Sequence, residues 1–278
     1  MKMKKSEKIL IGCGAAAVAL PLFLLAPGRA TKGQKAPFWG RNFAHRGLHS
    51  RDKSVPENSL KAFALASEAG YGMELDVQLT RDGQVVVFHD DTLDRVCGIH
   101  GRVDDYTFAE LQKFPLCGTA ERIPLFSDVL NTVAGRGAII CELKTAGKKN
   151  RELSRKTYDL IAAYPGEICV ESFDPRIVAW FRFHAPQVVR GQLVGPLQSY
   201  RPAGNGIAAF CMAGLLANVV SRPDFVSYDA NAQRFFSPHF QRFMFHTPMA
   251  AWTVRDPALA ALIRKRGEIS IFEGAGRV

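Results

Sequence analysis

The chain has 278 residues, of which 36 are Lys or Arg and 26 are Asp or Glu, so its formal net charge at pH 7 is +10. This length suits one α/β barrel or two smaller domains. The basic residues are spread along the chain and form no basic stripe with interleaved aromatic residues, which argues against nucleic-acid binding. The charge fits an anionic substrate or an anionic membrane surface, or it carries no functional meaning.

The amino-terminal segment is typical of a membrane anchor. Several lysines precede position 9, and the twenty residues Ile9–Gly28 carry no charge. That is about the ~20 residues that a membrane-spanning helix needs. A cleaved signal peptide and a buried helix of the folded domain are the alternatives. The apolar run is long for a signal peptide, and Gly28-Arg29-Ala30 is a poor cleavage site.

We therefore predict a single amino-terminal transmembrane helix that places the protein in the cell membrane. Residues 1–31 are the anchor or signal peptide, residues 32–40 are a linker, and residues 41–278 are the folded domain. A short basic amino terminus usually stays inside, so we expect the folded domain outside the cytoplasm.

Strand-like and helix-like segments alternate after residue 40. The predicted strands are Asn42–His45, a strand carrying Glu74 and Asp76, Val85–Phe88, Ala138–Leu143, Ile168–Val170, Val188–Leu193, Phe225–Tyr228, Ala251–Val254 and Ile269–Phe272. The predicted helices are Asn58–Ala69, Tyr106–Phe114, Phe126–Val133, Arg151–Ala163, Pro175–Phe183 and Ala258–Arg266.

This alternation predicts a parallel sheet. Nine strands fit an α/β fold of the TIM type, a (β/α)8 barrel with one additional hairpin strand. The alternative is a doubly wound open sheet, which would normally show a Gly-rich phosphate loop after its first strand. Arg46-Gly47-Leu48 is not such a loop.

One stretch, Gly72–Asp91, holds the most informative pattern. Glu74 and Asp76 are two residues apart, so on a strand they point to the same face. Burying two adjacent carboxylates costs several kcal/mol unless a cation lies between them. Asp82-Gly83 predicts a two-residue hairpin turn, which would place His89 opposite Asp76.

Polar residues recur where the predicted strands end, and in a barrel these ends carry the catalytic residues. Glu74, Asp76 and Glu142 suit a hard cation, Ca²⁺ or Mg²⁺, better than zinc. His45 and His89 suit an acid and a base near neutral pH. Arg46 and Lys144 offer positive charge to a phosphate. Together these groups predict hydrolysis of an anionic ester.

Several short motifs in order resemble the glycerophosphodiester phosphodiesterase family over about residues 42–255. They are His45-Arg46-Gly47, Pro56-Glu57-Asn58-Ser59, Glu74-Leu75-Asp76-Val77, His89-Asp90, Glu142-Leu143-Lys144, Ser172-Phe173 and Trp252-Thr253-Val254. The resemblance implies a TIM-type barrel, a divalent cation (Ca²⁺ or Mg²⁺), and hydrolysis of a glycerophosphodiester to sn-glycerol 3-phosphate and an alcohol.

The resemblance also implies roles for single residues. His45 and His89 are the catalytic acid and base, and the metal ligands are Glu74, Asp76 and Glu142. Arg46 and Lys144 contact the phosphate, Glu57 supports the site through hydrogen bonds, and Trp252 lines the pocket mouth or is a core aromatic residue. The chain departs from the family at Ile271-Phe272-Glu273-Gly274, where members commonly have Thr-Asp-x-Pro after the last strand, so the role of Glu273 stays open.

Two other functions remain open. One is a related barrel phosphodiesterase that acts on a lysophospholipid or a phosphoinositide while the anchor holds it at the membrane. The other is a catalytically silent membrane-tethered binding protein. The expected partners are therefore a small-molecule glycerophosphodiester or lipid-derived substrate and a membrane, with no nucleic acid.

The six cysteines lack Cys-x-x-Cys spacing and predict neither a zinc site nor a redox motif. Cys141 and Cys169 lie in apolar runs and are predicted core thiols. A disulfide between Cys97 and Cys117 is an option outside the cell.

Overall fold

The computed structural model describes residues 25–28, 30–195, 212–231 and 236–274. The described residues form nine strands with the following bounds: β1 Asn42–Ala44, β2 Gly72–Leu79, β3 Val85–Val87, β4 Ile139–Leu143, β5 Ile168–Ser172, β6 Arg190–Val194, β7 Phe225–Asp229, β8 Met249–Val254 and β9 Ile269–Phe272.

The helices of the described ranges connect these strands. They are α1 Lys32–Lys35, α2 Leu60–Glu68, α3 Asp94–Cys97, α4 Phe108–Leu111, α5 Phe126–Val133, α6 Asn150–Ala163, α7 Pro175–His184, α8 Asn218–Ser221, α9 Phe236–Phe245 and α10 Pro257–Lys265, with 3₁₀ turns at Val103–Asp105, Leu116–Gly118 and Gly147–Lys149.

The sheet closes into the predicted barrel. Its order is β1-β9-β8-β7-β6-β5-β4-β2-β3, and β1 also pairs with β2. Eight strands pair in parallel, whereas β3 is antiparallel to β2 and lies outside the ring. This confirms a TIM-type barrel with one hairpin strand. The predicted anchor falls on residues 1–31, of which residues 1–24 and 29 lie outside the described ranges.

Side chains along β2 point alternately to its two faces, and this alternation separates two cores. Met73, Leu75 and Val77 face outward and pack against the helices. Gly72, Glu74 and Asp76 occupy the other face, toward the barrel interior. The base of the interior, meaning the end formed by the amino termini of the strands, is apolar, and its opposite end carries the acidic residues. This separation directs the polar chemistry to the carboxyl ends of the strands.

The β2–β3 hairpin differs from its prediction by one residue of register. Val77 pairs with Val87 and Leu79 with Val85. The turn is a three-residue loop that ends at Gly83, whose φ of +74° a glycine adopts without strain. The predicted two-residue turn was wrong, and Phe88, not His89, lies opposite Asp76. His89 lies in the connection that follows β3 and reaches the site from there.

Helix α2 begins at Leu60, two residues later than its predicted start at Asn58. Ser59 is the N-cap and accepts a hydrogen bond from the Ala62 amide at 3.1 Å. Asn58 has a φ of +55° and donates its side-chain amide to Asp76 instead. At α4, Thr107 and Glu110 form a capping box, in which each side chain accepts a hydrogen bond from the other residue's backbone N–H.

Residues 32–40, predicted as a linker, close the base of the barrel. Phe38 is 1% exposed and stacks on Phe43, with ring centroids 6.5 Å apart. Trp39 meets Phe225 edge to face at 5.6 Å. The inner ends of β1 and β7 would otherwise expose these aromatic rings to water, so the hydrophobic effect holds the segment there.

Replacing Phe38 with Ala should lower the free energy of unfolding by about 3–5 kcal/mol, the usual cost of an emptied aromatic site. Urea titration followed by circular dichroism measures this change. The matched control is Phe236→Ala, whose side chain is 76% exposed, and it should stay within about 0.5 kcal/mol. An equally small effect at Phe38 would show that the segment does not close the barrel in solution.

No helix within the described ranges combines the length and the hydrophobicity that a membrane span requires. Cys97, Cys117, Cys141 and Cys169 are free thiols, and the last two are buried as predicted. The Cys97–Cys117 disulfide is therefore not formed in this structure.

Candidate active site

Three buried carboxylates form a cluster at the carboxyl ends of β2 and β4. Glu74, Asp76 and Glu142 each offer an oxygen within 4.8 Å of the others. The parallel register of β2 and β4 brings the carboxylates together, because it pairs Asp76 with Glu142. Burial and repulsion from Asp76 raise the pKa of Glu74 well above its ordinary value. Burial likewise raises the pKa of Glu142.

The cluster fits a hard divalent cation. Its donors are all oxygens, and Asp76 Oδ1 is buried without a hydrogen-bond partner in the described part of the chain. Ca²⁺ and Mg²⁺ prefer such ligands. The unfavourable burial of three negative charges is what a bound cation would relieve.

Lys144 is a fixed cation at the edge of the cluster. Its Nζ lies 2.9 Å from Glu142 Oε1 and 3.3 Å from Asp76 Oδ1. Although burial alone acts in the opposite direction, Lys144 holds the pKa of Asp76 below its usual range. The structure therefore places Lys144 beside the predicted metal ligands, at the end of β4.

Arg46 lies on the other side of Asp76. Its backbone N–H donates to Glu74 Oε2 at 3.0 Å, and its guanidinium donates to Glu57 Oε1 at 2.7 Å. Glu57 also accepts two hydrogen bonds from Arg95. Burial acts to raise the pKa of Glu57, but Arg95 and Arg46 lower it to about 2. Glu57 thus stays ionised and fixes both guanidinium groups.

His45 lies between two carboxylates. Its Nε2 is 3.9 Å from Glu74 Oε2, and its Nδ1 is 3.7 Å from Glu273 Oε2, too far for hydrogen bonds. Burial lowers the pKa of His45, so its imidazole is neutral at pH 7. Glu273, whose role the sequence left open, also pairs with Arg255 and faces His49 at 3.8 Å.

His89 is oriented by the residue that follows it. Its Nδ1 lies 2.6 Å from Asp90 Oδ1, and Asp90 in turn accepts from Arg95 Nε at 2.6 Å. Gln78 fixes the same segment by donating to the carbonyl oxygens of residues 88, 89 and 90. Sequence reasoning missed Asp90, Arg95 and Gln78 as supporting residues, although the His89-Asp90 pair was visible in the sequence.

A pocket of about 80 Å³ brings most of these groups together. It is lined by His45, Arg46, Glu74, His89, Glu142, Glu171, Phe173, Leu193, Trp252, Thr253 and Ile271. Trp252 meets Phe173 edge to face at 5.8 Å and forms part of the pocket wall. Asp76 and Lys144 lie next to the lining residue Glu142, and Glu57 is hydrogen-bonded to the lining residue Arg46. The structure therefore gathers all nine predicted site residues around one pocket.

Glu171 is a fourth acidic residue that sequence reasoning missed. It is paired with Glu142 across β4 and β5, is 2% exposed, and its Oε2 has no hydrogen-bond partner among the described residues. Burial and repulsion from Glu142 raise the pKa of Glu171 to about 8. Its position before Ser172-Phe173 was the available signal, because strand ends carry the site.

Glu171 should make the stability of the cation-free protein fall as pH rises. The folded state keeps the proton up to about pH 8, whereas the unfolded chain releases it near 4.5. Between these values the folded state binds more protons, so unfolding becomes easier by up to ~1.4 kcal/mol per pH unit. Glu171→Gln should flatten this decline, as measured by urea titration with chelator at pH 5.5 and pH 8. Equal slopes in both proteins would contradict the assignment.

The fold and the site define a (β/α)8 barrel with three clustered carboxylates and two imidazoles at its carboxyl-terminal face. A sequence model of the glycerophosphoryl diester phosphodiesterase family matches residues 45–273, and the chain belongs to this family. The matched range extends to Glu273, beyond the motifs that suggested the resemblance.

Named relatives and solved structures agree with this membership. A glycerophosphodiester phosphodiesterase of Caldanaerobacter subterraneus is 34% identical over 160 residues, which is 54% of this chain and 65% of that protein. A protein of the same name from Bacillus altitudinis is 34% identical over 157 residues, covering 52% and 63%. The chain thus spans slightly less than two thirds of the length of these relatives.

The fold is also that of solved phosphodiesterases. A phosphodiesterase of Oleispira antarctica, in complex with the product sn-glycerol-3-phosphate, superposes with a TM-score of 0.66 at 21% identity and covers 84% of this chain and 92% of that one. A glycerophosphodiester phosphodiesterase of Thermotoga maritima gives 0.63 at 26% identity, with coverage of 83% and 93%.

Proposed function

We propose that this protein is a cation-dependent phosphodiesterase that hydrolyses glycerophosphodiesters to sn-glycerol 3-phosphate and an alcohol. The observation that carries the proposal is the pairing of three buried carboxylates with two imidazoles around one pocket. Support comes from the names of the relatives and from the sn-glycerol-3-phosphate bound to the Oleispira antarctica phosphodiesterase.

Glu74, Asp76 and Glu142 would hold the cation, either Ca²⁺ or Mg²⁺. Bound there, the ion would supply Lewis-acid stabilisation of charge on a phosphate oxygen. Arg46 and Lys144 add permanent positive charge on both sides of the carboxylates and are the proposed phosphate contacts.

The two histidines differ in environment, which suggests different roles in the first step. His45 is buried and neutral, so it is suited to take the proton of the glycerol hydroxyl next to the ester. His89, held by Asp90, is suited to donate a proton to the leaving alcohol. The hydroxyl oxygen bonds to phosphorus as the ester bond breaks, which gives a cyclic phosphate and the free alcohol. Water then opens the ring, with the two histidines exchanging roles.

We also infer that the protein is attached to the cell membrane through its amino-terminal segment, with the barrel outside the cytoplasm. The support is the uncharged run Ile9–Gly28, which follows several lysines. This attachment is independent of the chemistry proposed for the pocket.

The test of the activity uses the full chain with glycerophosphocholine and an assay for glycerol 3-phosphate. Product should form with Ca²⁺ or Mg²⁺ and disappear with a chelator. If the folded protein releases no product with either ion, the proposed activity is wrong. Product that persists in chelator would refute the role assigned to the carboxylate cluster.

A further inference from the structure

The base of the barrel exposes apolar side chains on three neighbouring segments. Phe183 near the end of α7 is 63% exposed, Val220 in α8 is 55% exposed, and Phe243 near the end of α9 is 81% exposed. These segments precede β6, β7 and β8, which are adjacent in the sheet. Single exposed apolar residues are common, but apolar residues on three adjacent segments form a patch. We call Phe183, Val220 and Phe243 the base patch.

The amino-terminal segment reaches the barrel at this same end. The Gly28 N–H donates to the Pro223 carbonyl at 2.7 Å, and the Ala30 N–H donates to Asp224 Oδ1 at 3.0 Å. On the other side, Gln241 donates its side-chain amide to the Leu25 carbonyl at 3.3 Å. Leu25, Gly28 and Ala30 therefore contact the segments that carry Val220 and Phe243. The amino-terminal segment thus joins the described structure at the base of the barrel.

The charges at this end suit an anionic surface. The acidic groups nearby are already paired: Asp224 lies 3.4 Å from Arg190, and Glu268 lies 2.8 Å from Arg242. The last turn of α10, which leads into the base end of β9, carries Arg264 and Lys265, and both are exposed. Basic residues beside exposed apolar side chains are typical of a surface that contacts anionic lipid.

We propose that the base patch rests on the anionic lipid bilayer to which the amino-terminal segment attaches the protein. The carboxylate cluster lies at the opposite end of the strands, more than ~10 Å away at the ordinary rise per strand residue. The pocket then opens away from the bilayer. The substrate is accordingly a water-soluble, deacylated glycerophosphodiester rather than a lysophospholipid that resides in the same membrane. This inference rests on the proposed membrane attachment and phosphodiesterase activity.

The experiment places a tryptophan at each end of α9 in the full chain. Phe243→Trp adds the probe at the base patch, and Phe236→Trp, at a position that is 76% exposed, adds it at the opposite end of the same helix. Each protein is reconstituted into phosphatidylcholine–phosphatidylglycerol vesicles with and without brominated acyl chains. The fluorescence added by Phe243→Trp should be mostly lost in brominated vesicles, whereas that added by Phe236→Trp should persist. The wild-type chain, with its three tryptophans, sets the background.

Three results would overturn the orientation. If the tryptophan at position 243 is unquenched and its emission indicates the same exposure to water as that of the tryptophan at position 236, the base faces solvent. A blue-shifted but unquenched signal would show that protein, either residues 9–24 folded back or a second copy, covers the patch. Failure of the chain to enter vesicles would refute the membrane attachment as well. Activity on glycerophosphocholine, measured in the same samples, reports separately on the enzyme.

The same vesicles test the substrate class. Soluble glycerophosphocholine should be hydrolysed much faster than lysophosphatidylcholine embedded in the bilayer, and Phe243→Trp should not change the first rate. Faster release of product from the embedded lipid would overturn the inferred preference for a water-soluble diester. Loss of both activities with quenching retained would overturn the enzymatic proposal and leave the orientation intact.

Discussion

His45→Gln should reduce kcat on glycerophosphocholine by roughly 10²–10⁴-fold, because a positioned acid or base typically contributes that much. His89→Gln should have an effect of similar size, since the proposed reaction needs both a proton acceptor and a proton donor. Steady-state assays at saturating cation measure the loss, and circular dichroism checks that the fold is retained.

His100→Gln is the matched control. This histidine is exposed, interacts with Asp94 and lies outside the pocket, so its replacement should leave kcat unchanged. Near-normal turnover of the His45 or the His89 variant would exclude that histidine from the chemistry.

The pH profile gives a second test of His45. A general base must be neutral, and burial lowers the pKa of His45 below 6.5. The rise of kcat/KM with pH should therefore have its midpoint below 6.5, and it should be lost or displaced in His45→Gln. The cation must be saturating throughout, because protons also compete for the carboxylate cluster.

Asp76→Asn should abolish cation binding and lower kcat by about 10²–10⁴-fold, the loss expected when several kcal/mol of charge stabilisation disappear. In the wild-type protein, Ca²⁺ or Mg²⁺ at 100 times its Kd should raise the free energy of unfolding by about 2.7 kcal/mol. The variant should show no such gain. Asn keeps the shape of the side chain and an oxygen that accepts from Asn58.

Asp159→Asn serves as the control for lost negative charge. Asp159 lies on α6 in an exposed pair with Arg155, and its replacement should preserve both the cation effect and activity. Thermal unfolding with cation and with chelator compares the three proteins. If Asp76→Asn still gains stability from the ion, the cation binds elsewhere.

Local patterns predicted much of the site. The two-residue spacing of Glu74 and Asp76 is enough to place both on one face of a strand, whatever the fold. Apolar residues at 73, 75 and 77 on the opposite face then indicate which side packs against helices. The capping box at Thr107 and Glu110 is equally local, because it involves hydrogen bonds across three residues.

Other features depended on contacts between distant parts of the chain. Glu171 joined the site because closure of the sheet set it level with Glu142, and Glu273 joined because β9 returns beside β1. Residues 32–40 have a linker-like composition, yet Phe38 and Trp39 pack against rings that the closed barrel exposes at its base. No short window of sequence contains this information.

The sequence by itself predicted the barrel and the carboxylates and histidines near its strand ends, since hydrophobic period and motif order are written in consecutive residues. The tertiary structure decided the hairpin register, the orientation of His89 by Asp90 and Arg95, and the positions of Glu171 beside Glu142 and Glu273 beside His45. Those outcomes depend on how the barrel closes, and closure is set by packing among residues far apart in the chain.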